Sequence, residues 1–167
     1  MTQNWLTQNV PGYNELSEEE RKEIMQFSLL WSFFEAQVLN TSASPRSIQT
    51  KIISWANLVL LNLHDFEKYR DYFSQRYTEN GNTNYRFQHL HLRNSDNRNL
   101  IERVLKKEAN EVSDVVAALL IIVYRYRNNF FHGIKWEYGF KEQLENFRIS
   151  NELLVQMLDI QKQQNEG

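Results

Sequence analysis

Arg127, Asn128 and His132 are the residues of this chain whose types and order best suit a chemical task. They stand in the stretch Arg127-Asn128-Asn129-Phe130-Phe131-His132-Gly133, just after ten uncharged residues, Val115 to Tyr124. Arg125 precedes them, so two arginines, two asparagines and a histidine crowd the end of an apolar run. A guanidinium is a permanent cation with bidentate geometry for a phosphate. An imidazole trades protons near neutral pH. Together they suit phosphoryl transfer in RNA, where the 2′-hydroxyl is an internal nucleophile and no metal is required. The products would be a 2′,3′-cyclic phosphate and a 5′-hydroxyl. Asn128 is placed to orient either partner.

Spacing by itself says little. With 11 arginines and 4 histidines, an arginine four to six places before a histidine is expected roughly once by chance. The chain holds a second such pair, Arg86 and His91, in a stretch that closes no core helix. Context separates the two. Five residues on one ideal helix turn through about 140° and rise about 7.5 Å. Arg127 and His132 therefore do not share a face if the helix runs straight through both. They meet only if the helix unwinds near Phe131, or if two copies of the motif face each other across a two-fold axis.

Arginine, a polar residue, and histidine after three more, late in an α-helical bundle of this size, resemble the HEPN superfamily. Leu30-Trp31-Ser32-Phe33-Phe34-Glu35 also resembles what many members carry in their first helix. The resemblance spans roughly 17–160, with only these two stretches specific. It implies a homodimeric, metal-independent endoribonuclease, of a kind found in toxin–antitoxin and anti-phage systems, with RNA as substrate and an antitoxin as a further partner. Arg127 and His132 are then catalytic and Asn128 supports them. Glu35 is the candidate ion-pair partner of Arg127. Arg125 and Lys135 are candidate phosphate contacts, and Trp136, with Tyr138, could stack on a base. Members paired with nucleotidyltransferases usually carry tyrosine two places after the histidine. Here Ile134 stands there, and control by modifying that tyrosine is not expected. The alternative is a non-catalytic module of the same fold that binds RNA, a nucleotide or a protein. A bland reading also stands: His132 favours a helix C-terminus electrostatically, and Arg127 is a structural ion pair.

The elements that must position these residues are helices. Glycine (5) and proline (2) are scarce. Residues 1–16 are polar and read as a loose arm. Ser17 and Glu20 fit a capping box opening a helix to about Leu39. Its stripe is Ile24, Phe27, Trp31, Phe34 and Val38, widened by Leu29, Leu30 and Phe33. Ser28, Ser32 and Glu35 form its one polar strip, and a carboxylate there must be paired, protonated or at an edge. Ser44-Pro45 opens a second helix through about Asn62, with Ile52, Ile53, Trp55, Ala56, Val59 and Leu60 inward. Asp65 to Tyr77 reads as a surface helix, Thr78 to Asn84 as a break, and Tyr85 to Leu92 as a short strand or extended loop. A fourth helix covers Asn97 to Ala109. Ser113 is the expected cap of the apolar helix, which ends at Phe130 or Phe131 with Gly133 in the left-handed C′ position. A last helix spans Phe140 to Ile160, and 161–167 is a frayed polar tail. The class is all-α, a bundle of about five helices forming one domain over 17–160.

Composition narrows the functions further. At 167 residues with a formal charge of −2, the chain is no bulk polycation, and nucleic acid would need a local patch. The basic stretch 86–107 is such a patch, or simply a solvated face. Cysteine is absent, which excludes disulfides and thiolate metal sites and leads to the expectation of a reducing, cytoplasmic setting. No secretory leader, membrane span or cofactor is expected. His64, His89 and His91 do not form a persuasive metal set, and none is expected.

Overall fold

In a computed structural model, residues 1–133 and 142–167 are described. They are all-α apart from one two-residue hairpin. The elements are α1 (Thr2–Asn9), α2 (Glu18–Val38), α3 (Pro45–Asn57), α4 (Glu67–Tyr77), α5 (Tyr85–Gln88), α6 (Arg98–Leu105), α7 (Val112–Phe131) and α8 (Leu144–Glu166). Strands β1 (Thr78–Glu79) and β2 (Asn82–Thr83) pair antiparallel between α4 and α5. None of these helices is long and apolar enough to cross a membrane.

The apolar run does form the spine. Every residue of α7 from Val115 to Val123 is buried, so this helix is covered all round. α3, α4 and α6 pack against it, while α2 lies along α8. Rings tie the two groups together. Trp31 of α2 meets Tyr124 of α7 at 6.0 Å, and Phe147 of α8 lies 5.2 Å from Phe27 and 6.3 Å from Phe130. Edge-on and tilted aromatic pairs at such distances add about 1 kcal/mol each beyond area burial.

Local chemistry explains the boundaries. Ser17 accepts from the Glu20 N–H while Glu20 accepts from the Ser17 N–H, the expected capping box. Phe27, Trp31, Phe34 and Val38 are buried as the stripe requires, but Leu29 and Phe33 are exposed. The apolar surface of α2 is wider than its partners can cover. α3 stops at Asn57, five residues early, because Val59 adopts a left-handed φ of 58° and the Leu60 N–H returns to the Trp55 carbonyl. Val59 in that turn and Ile53 on the outer face of α3 are exposed, contrary to the inward placement expected of them. A β-branched residue at positive φ is strained.

Five further expectations are corrected. Residues 2–9 are helical, not a loose arm, although none of them is buried. α4 is no surface helix: Phe66, just before it, and Tyr69, Arg70, Phe73 and Tyr77 within it are buried, Arg70 through an ion pair with Glu67 at 2.6 Å. Tyr85 to Gln88 is a helical turn, capped by Asn84 accepting from Arg86 and Phe87 N–H groups, because that cap outcompetes extended pairing. The apolar helix opens at Glu111 rather than Ser113, without a side-chain cap. The 161–167 tail continues α8 to Glu166, where the Trp55 indole N–H donates to Gln164 Oε1 at 2.9 Å. The break at 78–84 is a hairpin whose Asn80-Gly81 pair has φ values of 52° and 77°, the pattern of a type I′ turn. The start of the last helix at Phe140 lies outside the described residues.

One buried contact gives a stability prediction. The Tyr77 and Tyr126 hydroxyls share a short hydrogen bond in the core. Burial raises the Tyr77 pKa from 10.0 to about 12 and pushes Tyr126 well above 10.0. For an acid whose folded pKa is raised, the unfolded chain releases its proton first. The stability contribution is therefore complete below pH 10 and is lost as pH rises toward 12. Alkaline unfolding is expected to be steep in that window. Tyr77→Phe should flatten the slope of stability against pH there, measured by urea melts at stepped pH.

Candidate functional site

α7 carries the candidate residues to its last turn. The helix does not unwind at Phe131: the His132 N–H still donates to the Asn128 carbonyl at 2.9 Å, and the Gly133 N–H to the Phe130 carbonyl at 3.3 Å. His132 is the C-cap, and Gly133 takes the left-handed φ of 77° expected of it. The first way for Arg127 and His132 to meet is thereby removed. Within one chain they point about 140° apart.

Their surroundings differ accordingly. Arg127 falls between Tyr124 and Phe130 in helical projection, the side covered by Trp31 and Phe147. It is half-buried. Its Nη1 donates to Asn128 Oδ1 at 2.9 Å, and its guanidinium lies 5.3 Å from the Phe131 ring centroid. Among the described residues it has no carboxylate partner, and Nε has no hydrogen-bond acceptor. His132 is exposed on the other side. Asn128, buried, serves both through different atoms: its side chain holds Arg127, and its carbonyl holds the backbone of His132.

Glu35 does not pair with Arg127. Its carboxylate accepts from the Trp31 indole N–H at 2.9 Å and from the Ala43 N–H at 3.4 Å, and its own carbonyl accepts from Thr41. It is an edge carboxylate that ties α2 to the following loop. Of the three options open to a carboxylate on that strip, Glu35 takes the edge, with the Trp31 indole one turn earlier as its donor.

Arg125 is not a surface contact for RNA either. It is 2% exposed, too enclosed to meet a phosphate backbone. Its Nε lies 3.6 Å from Asp96 Oδ2, and both side chains are almost wholly enclosed. Nε also donates to the Leu90 carbonyl at 3.3 Å and Nη2 to Asn129 Oδ1 at 3.3 Å. Burial lowers the Arg125 pKa and Asp96 opposes that shift. Asp96 further accepts from the Arg93 N–H at 2.6 Å. A lone aspartate in the basic stretch and an arginine inside an apolar helix were the available signals for this pair. Lys135, Trp136, Tyr138 and Ile134 lie outside the described residues.

Arg125 and Asn129 mark a definite side of α7. Asn129 Nδ2 donates to the Leu90 carbonyl at 3.1 Å and approaches the His89 carbonyl at 3.5 Å. Segment 85–96 is thus hung on the Arg125–Asn129 side. His132 follows Arg125 by seven residues and Asn129 by three, so it projects within about 20° of the first and 60° of the second. The exposed imidazole and this segment share one side, and Arg127 faces away from both. No group of three or more histidine, aspartate and glutamate side chains capable of holding a metal occurs among the described residues. No known protein family, curated protein or solved structure matches the chain.

Proposed function

We propose that this chain is a metal-independent endoribonuclease of the HEPN type, working as a homodimer in which Arg127 of one copy and His132 of the other serve one scissile phosphate. The carrying observation is Asn128. One buried carboxamide residue fixes a half-buried guanidinium on one side of the helix end and the backbone of an exposed imidazole on the other. A guanidinium held in place with no carboxylate partner among the described residues keeps its charge available for an anion. An exposed imidazole can exchange protons with the 2′-hydroxyl and with the leaving 5′-oxygen. Their separation by about 140° is what a composite two-fold site requires, since each chain then offers one group to each of two sites.

Purified protein on labelled single-stranded RNA in EDTA tests the reaction. Products ending in 2′,3′-cyclic phosphate and 5′-hydroxyl are expected. A strict requirement for a divalent ion, or 3′-hydroxyl ends, would count against the reading. A second reading, a non-catalytic module binding RNA, a nucleotide or a protein, uses the Arg127 guanidinium without His132 chemistry. It predicts binding weakened by Arg127→Ala and no cleavage product under any condition. The setting in which such a nuclease works, a toxin with its antitoxin or a defence against phage, belongs to this proposal as its biological context.

A further inference from the structure

The segment beside His132 has an uneven build. Phe87 and Leu90 are 1% exposed and plug it into the core. The residues between and around them are left outside: Tyr85, His89, His91 and Arg93 are exposed and Arg86 is half-exposed. The rings are in sequence along the surface, with Tyr85 and His89 centroids 6.2 Å apart and His89 and His91 6.4 Å apart. A left-handed φ of 50° at His91 permits that return. Arg86 lies over the Tyr85 ring at 5.2 Å and stands 3.7 Å from Glu142. Arg93 completes the set at the far end. The backbone under the rings is bonded to Arg125 and Asn129, whose side of α7 also carries His132 about 4.5 Å further along the axis.

We propose that Tyr85, His89 and His91, with Arg86 and Arg93, form a ledge that seats single-stranded RNA and leads it to His132. Rings offer stacking to any unpaired base, and guanidiniums follow the phosphates. A duplex, whose bases are already stacked, gains little from the rings. This inference rests on the ribonuclease reading, but binding to the ledge is measurable without cleavage. It also gives the Arg86–His91 stretch, uninformative as a spacing, a separate task.

The test uses a fluorescent 2′-O-methyl oligonucleotide, which lacks the nucleophile and cannot be cut. Anisotropy should show wild type binding the single strand, with Tyr85→Ala, His89→Ala and His91→Ala each weakening it about tenfold. Tyr85→Phe, which keeps the ring, should bind within about twofold of wild type. On ribose RNA, Tyr85→Ala should raise KM with kcat unchanged. If wild type cleaves RNA but the three alanine variants bind and cleave like wild type, the ledge is overturned and the nuclease reading stands. If wild type cuts nothing yet the alanine variants lose the 2′-O-methyl strand, the ledge stands and the nuclease reading fails. Equal affinity for duplex and single strand, insensitive to Tyr85, also overturns the ledge.

Discussion

His132→Ala is expected to reduce RNA cleavage in EDTA by about 10³-fold or more, with the fold and the dimer unchanged. A positioned acid or base supplies about 10² to 10⁴ in rate. His132 sits at the mouth of that range because one imidazole is asked both to take and to return a proton. The substitution should cost little stability. The side chain is exposed, and its backbone bond to Asn128 does not depend on it. Circular dichroism and sedimentation should therefore match wild type. Equal cleavage by both proteins would remove His132 from the chemistry and return it to a helix-capping role.

Asp96→Ala is expected to destabilise the fold by about 3–5 kcal/mol, the usual cost of leaving one member of a buried ion pair alone. Arg125 is 3% exposed at its side chain and cannot recover water without opening the contact between α7 and segment 85–96. Asp96 also holds the Arg93 N–H, so a second, partly buried bond is lost. Against a typical total of about 5–15 kcal/mol this approaches collapse. Urea melts would measure it. Arg125→Met in the same chain should recover part of the loss, because the stranded charge is then gone. A loss under about 1 kcal/mol would mean that Arg125 finds another acceptor or that the pair opens freely.

Much of the helical scaffold is readable before any coordinates, and for physical reasons. An uncharged run of ten residues has nowhere to go but the interior, so α7 and its end at Gly133 follow from composition and cap chemistry. The Ser17–Glu20 box is local and needs nothing from the rest of the chain. What resists reading is set by distant partners. Leu29 and Phe33 match the apolar stripe but stay exposed. Tyr69 and Phe73 look like surface aromatics among charges until α4 is seen packed into the core. Val59 stops α3 with a backbone angle that its side chain disfavours, so no propensity announces it. At the site, Arg127, Asn128 and His132 are identifiable by type and place, and their separation follows from helical geometry. The partners of Glu35 and Arg125 are not, because a charge announces only that it needs a partner. Trp31 lies one turn from Glu35, and Asp96 lies 29 residues before Arg125.

A mixing experiment reaches the composite site most directly. Arg127→Ala and His132→Ala proteins, each inactive alone, are combined so that subunits exchange at random. Half of the dimers are then mixed, and each mixed dimer holds one complete site and one empty one if the two residues come from different chains. The mixture should recover about a quarter of wild-type cleavage in EDTA. Confirmed mixed dimers with no recovered activity would contradict the shared site.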